Sequence, residues 1–104
     1  DTFVYESVSD AGTYGISPND KIYEFNKTHD RIDLSAIDGN NSAAGQQSLT
    51  FTNSNIGNCV WCEDIGSDVV FYVNVSSSTG NIYTGFSICL DSVSSVLTSD
   101  NFVL

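Results

Sequence analysis

The groups in this 104-residue chain that could do chemistry are 13 aspartates and glutamates, three cysteines and one histidine. The carboxylates follow a pattern. An aspartate, any residue and then a bulky apolar residue recur as Asp1-Thr2-Phe3, Asp20-Lys21-Ile22 and Asp30-Arg31-Ile32. Aspartate suits the end of a turn because its carboxylate accepts main-chain N–H bonds. The apolar residue two places on can then start the buried face of a strand. Loop carboxylates also suit calcium, a hard cation that takes about six to eight oxygen ligands. Asp1, Asp10, Asp20 and Asp30 are the candidate ligands, and from the residues alone both turn chemistry and ligation stay open.

The remaining candidates are weaker. Cys59-Val60-Trp61-Cys62 with Cys89 and His29 would make a Cys₃His zinc set on paper, but structural zinc sites show two close ligand pairs and only one is visible. Extended, Cys59 and Cys62 stand about 10 Å apart, too far for a disulfide, although a turn could join them. Strand alternation puts Cys62 and Cys89 on outward faces and Cys59 beside the core. His29, Asp33 and Ser35 could be drawn as a triad, yet no nucleophile elbow surrounds the serine. One histidine excludes the two-histidine zinc-protease helix motif. Nothing selects an acid pair for glycoside hydrolysis. Tyr5, Tyr14, Tyr23, Trp61, Tyr72 and Tyr83 could offer a sugar-stacking face or serve as strand packing. Asn26-Lys27-Thr28, Asn40-Asn41-Ser42 and Asn74-Val75-Ser76 match the glycosylation sequon by chance. No catalytic set is expected.

The elements that must position these groups are strands. Thr2 to Tyr5, Lys21 to Phe25 and Arg31 to Leu34 are short and rich in aromatic and β-branched residues. Ser48 to Thr52 alternates polar and apolar, and so does Asp68 to Val75, with Val69, Phe71, Val73 and Val75 on one face. Phe86, Ile88 and Leu90 mark another strand, with Ser87 and Cys89 on its other side, and Phe102-Val103-Leu104 closes the chain. Asp38 to Ser42 and Ser76 to Asn81 are turn clusters. One short helical turn is expected at Ser35 to Asp38. Ile22, Phe25, Ile32, Leu34 and Ile37 are the expected central core, with a bend near Asn26. Residues 1–104 read as a single all-β domain, a β-roll cap or β-sandwich of short strands.

Composition supports this. Forty per cent of the residues are hydrophobic, enough for a core. The formal charge of −10 disfavours nucleic acid and anionic lipid. No segment approaches the roughly 18 apolar residues of a membrane span. The opening Asp1 to Tyr5 already reads as a strand, without an initiator methionine or signal peptide, so a fragment of the C-terminal side of a longer chain is expected.

The chain resembles the C-terminal region of calcium-binding RTX proteins, which Gram-negative bacteria export by type I secretion; serralysin-type proteases, some lipases, mannuronan epimerases and adhesins share it. Asp1-Thr2-Phe3-Val4-Tyr5 is similar to the last strand of their glycine-aspartate roll. Asp20-Lys21-Ile22-Tyr23-Glu24-Phe25 and Asp30-Arg31-Ile32-Asp33-Leu34-Ser35 are similar to the signature of its cap. Phe86 to Leu90 resembles a late strand, and Leu97 to Leu104 the export tail. The resemblance implies a non-catalytic module that caps the calcium-dependent roll. It implies an export signal that includes Asp100, Phe102, Val103 and Leu104. It also implies an extracellular setting, with the secretion machinery and the upstream roll as partners. The full glycine-rich nonapeptide is absent, so calcium is expected mostly upstream. A second reading is a polysaccharide- or surface-binding β module of an extracellular enzyme or adhesin.

Overall fold

The computed structural model describes residues 1–7, 20–79, 84–93 and 97–104. Its strands are β1 (Thr2–Val4), β2 (Asp20–Ile22), β3 (Arg31–Asp33), β4 (Thr50–Phe51), β5 (Cys59–Asp64), β6 (Val69–Asn74), β7 (Gly85–Leu90) and β8 (Phe102–Val103), with a 3-10 turn at Ser99–Asn101. The described residues contain no α-helix, and no helix is long and apolar enough to cross a membrane. The all-β expectation holds. The helical turn does not fall at Ser35 to Asp38. There Ile37 N–H closes a reverse turn on the Leu34 carbonyl at 3.0 Å, and Asp33 captures the main-chain N–H of Ser35, which prevents a helix from continuing.

The strands form two sheets, one ordered β1-β3-β8 and the other β2-β7-β6-β5-β4. The chain therefore passes from the first sheet to the second and back before β3 pairs parallel to β1, with Phe3 opposite Ile32. That is one winding of a roll. β8 then pairs parallel to β3, and β2 pairs parallel to β7. The β5-β6-β7 segment is an antiparallel meander instead. Its first connection is tight: Ile65 N–H bonds the Asp68 carbonyl at 3.0 Å, and Gly66 takes the left-handed φ of +100° that the turn needs. Gly85, where β7 begins, has a different reason. A Cβ there would lie 1.7 Å from the Val73 carbonyl oxygen, so the two strands can approach only without a side chain.

Aromatic rings join the sheets. Phe3 packs on Phe25 at 5.9 Å between centroids, Tyr5 on Phe86 at 5.5 Å, and Phe102 on both Phe51 at 5.5 Å and Phe71 at 5.6 Å. Ile22, Phe25, Ile32, Leu34 and Ile37 are all buried in the shared core, as expected. So are Val69, Phe71, Val73 and Val75 from one face of the β6 segment, and Phe86, Ile88 and Leu90 of β7. The second face of β7 is buried as well, since Ser87 and Cys89 have almost no exposure. The alternation of this strand thus marks two covered faces rather than one wet and one dry.

Candidate functional site

The repeated aspartates divide between the sheets. Asp1 and Asp30 meet beside β1 and β3, while Asp20 opens β2 in the other sheet. Asp10 lies outside the described residues. The Asp30 carboxylate accepts the main-chain nitrogen of Asp1 through Oδ1 at 2.6 Å and the Asn26 N–H through Oδ2 at 2.9 Å. In return Arg31 N–H bonds the Asp1 carbonyl at 2.9 Å, so the strand start and the turn are tied twice. These bonds, first that from the Asp1 nitrogen and then that from Asn26, hold the Asp30 carboxyl below the usual carboxylate range. Both oxygens already face donors. Among the described residues no three His, Cys, Asp or Glu side chains converge on a common point. The donor set therefore fits calcium only as part of a site whose other oxygens come from elsewhere.

Capping recurs along the chain. The Oδ1 of Asp33 accepts both the N–H and the hydroxyl of Ser35, at 2.9 and 2.6 Å. That lowers its pKa, the hydroxyl contributing most. It also fixes Ser35 as a turn residue rather than a nucleophile. Asn26 treats Thr28 in the same way, as Asn40 treats Ser42 and Asn74 treats Ser76. The three sequons are thus side-chain turns, and their side-chain oxygens are occupied. Asp38 and Asp64 cap the N–H groups of Asn40 and Gly66, and Asp68 that of Ser92. Asn74 goes further. Fully buried, it also donates to Asn55 Oδ1 at 2.9 Å and to the Ser78 carbonyl at 2.7 Å, so every polar atom of its amide has a partner. An asparagine between Val73 and Val75 in an apolar strand is the sequence signal for that node.

The cysteines are free thiols, and their faces depart from expectation. Cys62 packs against the shared core with Val60, whereas the fully buried Cys59 lies on the opposite face of β5. Alternation within Cys59–Asp64 had no unique reading, because both of its faces carry apolar residues. Burial raises the Cys62 thiol to about 12. Cys89 is buried rather than outward, with its sulfur 3.7 Å from Asp68 Oδ2. The aromatics do not gather on one surface among the described residues. Tyr5 packs on Phe86, Tyr23 is exposed beside Lys21, and Trp61 stacks on Tyr72 at 4.9 Å; Tyr14 and Tyr83 lie outside the described residues.

The C-terminal residues are docked. Phe102 is buried between Phe51 and Phe71, and Leu34 N–H bonds the Val103 carbonyl at 2.8 Å. The Val103 side chain is exposed, while Leu104 packs against the core. Asp100 is exposed in the 3-10 turn, and its carbonyl accepts Arg31 Nη1 at 2.5 Å. Asn101 donates to the Lys27 carbonyl at 2.8 Å. Sequence reasoning did not find Arg31 and Asn101 as anchors, since their partners are remote in the chain. Between residues 27–31 and Thr98, Asp100 and Asn101 lies a polar cleft of about 430 Å³.

Among the described residues β1 and β2 are both edge strands, one in each sheet, and Phe3 of β1 packed on Phe25, just beyond β2, sets them on the same flank. In β1, Tyr5 N–H bonds Asp33 and the Asp1 carbonyl receives Arg31. Parallel pairing then turns the main-chain groups of Thr2 and Val4 away from β3, toward the open edge.

The family described as Peptidase M10 serralysin C terminal matches residues 1–87. Among solved structures, the AlgE6R3 subunit of the Azotobacter vinelandii mannuronan C5-epimerase is similar, with 24% identity and a TM-score of 0.56. The match covers 99% of this chain and 52% of that one, so the chain spans about half the length of that subunit. No curated protein gives a significant match.

Proposed function

The chain belongs to the serralysin C-terminal family of the M10 peptidases, and on that premise we propose that it caps a calcium-dependent β-roll and carries a type I export signal. The observation that carries the capping role is the flank on which β1 and β2 together leave, among the described residues, an edge in each sheet. A parallel roll adds strands alternately to two sheets, and each coil must be covered by the next. An upstream coil would continue both sheets by bonding the main chain of β1 and β2, and the cap would in turn hide the roll's last unpaired edges.

In this reading the cap performs no catalysis, and any enzymatic activity belongs to another part of the parent protein. The Asp1 and Asp30 oxygens would contribute to calcium at the junction, with the upstream coil supplying the rest. Calcium there would neutralise carboxylates and link coil to cap. The tail would be read by the exporter while the chain is unfolded. After release Phe102 would enter the core and β8 would close its sheet. The parent protein would be extracellular, its export complete before calcium drives folding.

The test of capping joins the chain at its N-terminus to a tandem glycine-aspartate roll and follows amide exchange in calcium. Protection of Thr2 and Val4 amides, absent in the chain alone, is the expected result; unchanged exchange at both would refute roll docking. The test of export truncates a fused passenger after Asp100. Undiminished export of the truncated fusion would remove the tail from the signal.

A further inference from the structure

We propose that the cleft between residues 27–31 and the C-terminal turn binds an oxyanion, a carboxylate or sulfate group. The chain has three lysines and arginines and one histidine against 13 acids. Lys21 pairs with Asp91 at 3.4 Å. The other two cations, Lys27 and Arg31, and the histidine, His29, all line this cleft of about 430 Å³. An acidic surface repels anions, so this concentration of donors makes the cleft the favourable place for one.

The donors are positioned. Arg31 gives one Nη1 N–H to the Asp100 carbonyl at 2.5 Å, which anchors the guanidinium to the C-terminal wall. A guanidinium has five N–H donors in a fork that matches a carboxylate, and no described residue takes the remaining ones. The His29 imidazole lies close enough to Asp30 to interact with its charge and makes no hydrogen bond among the described residues. Asn101 clamps the opposite wall by holding the Lys27 carbonyl at 2.8 Å. The two walls, remote in sequence, are therefore joined before any ligand arrives, and little ordering cost remains.

Two carboxylates line the cleft. Asp30 turns both oxygens to main-chain donors, at 2.6 and 2.9 Å, and so offers an anion a shielded charge. Asp100 is exposed and meets Arg31 through its carbonyl rather than its carboxylate. The cleft uses neither edge strand and shares only Asp30 with the proposed calcium junction.

The experiment is an amide NMR titration of the intact chain at low ionic strength with three probes: sodium sulfate, tetragalacturonate as a carboxylated oligosaccharide, and maltotetraose as its neutral counterpart. Saturable shifts centred on His29, Arg31 and Asn101 are expected, diminishing as sodium chloride is added. Saturation by tetragalacturonate alone assigns a polymer-borne carboxylate; saturation by sulfate as well assigns a general oxyanion site. His29→Gln should weaken binding about tenfold, the scale of one charge-assisted hydrogen bond. Arg31→Lys, which keeps the charge and loses the fork, should weaken it too. Absence of shifts with both anions, equal shifts with maltotetraose, or unchanged affinity in both variants would overturn the proposal. Unaltered Phe102 ring signals in each variant show that folding is intact.

Discussion

Phe102 meets Phe71 edge-on, with ring centroids 5.6 Å apart and planes at 76°, and this contact fastens the C-terminal strand of one sheet to the centre of the other. The ring is 6% exposed and touches Phe51 as well. Phe102→Ala should therefore cost about 3–5 kcal/mol in denaturant unfolding, the range for buried phenylalanine. Val103→Ala, whose side chain is exposed, should cost well under about 1 kcal/mol. Similar losses at the two positions would contradict the orientation of β8.

Acid should loosen the turns that aspartates cap. The carboxyls of Asp30 and Asp33 titrate below their ordinary range, Asp30 through the Asp1 nitrogen and Asn26, Asp33 through Ser35. A depressed folded-state pKa means stability present above the unfolded value of about 3.9 and lost as pH falls through the folded one. Asp33→Asn should lower the melting temperature at pH 7, with the gap to wild type closing as pH falls below the unfolded value and through the depressed folded one. A gap that stays constant from pH 7 to pH 2 would mean that the charge of Asp33 contributes nothing.

Gly85→Ala should be among the most damaging small substitutions. The added Cβ would sit 1.7 Å from the Val73 carbonyl oxygen, and only movement of the backbone can relieve that. A loss of about 1–3 kcal/mol or more is expected on chemical denaturation. Full wild-type stability would show that β6 and β7 are further apart at this point.

The thiols should be inert in the native chain. Cys59 and Cys89 are buried, and burial pushes Cys62 up to about 12, so little thiolate forms at pH 8. Labelling with a chromogenic disulfide reagent should be slow without denaturant and should reach all three cysteines with it. Rapid native labelling of Cys62 would place it outside the core.

What the sequence disclosed follows from how local the signal is. The apolar alternation of Val69 to Val75 and Phe86 to Leu90 marked the strands of the core. The five residues Ile22, Phe25, Ile32, Leu34 and Ile37 were found because each follows a turn signal. The face of Cys62 was not legible, because Cys59 and Trp61 on one side and Val60 and Cys62 on the other are equally apolar, and a one-residue shift changes nothing in the pattern. The burial of Ser87 and Cys89 was hidden for a similar reason, since short polar side chains read as an exposed face. The parallel pairing of β1 with β3 and the hold of Arg31 on Asp100 depend on residues far apart in the chain, which no local period encodes. The repeated aspartates were visible as turn residues. Their hydrogen-bond partners were not, because these include the main chain of other segments.

The most direct measurement of the capping role uses Val4→Pro in the chain joined to a tandem glycine-aspartate roll. Val4 is 56% exposed on edge strand β1, with its N–H turned away from β3. Proline removes that donor, and edge strands tolerate it. In the chain alone the substitution should leave the melting temperature almost unchanged, and calcium should shift it little, because in the proposed reading Asp1 and Asp30 would supply only part of a site. In the fusion, calcium at a hundredfold excess over its Kd should stabilise the wild-type roll and cap together by about 2.7 kcal/mol per ion bound. With Val4→Pro the cap should instead melt separately, at its calcium-free temperature. A single cooperative, calcium-dependent transition in the Val4→Pro fusion, identical to wild type, would contradict docking through the β1 edge.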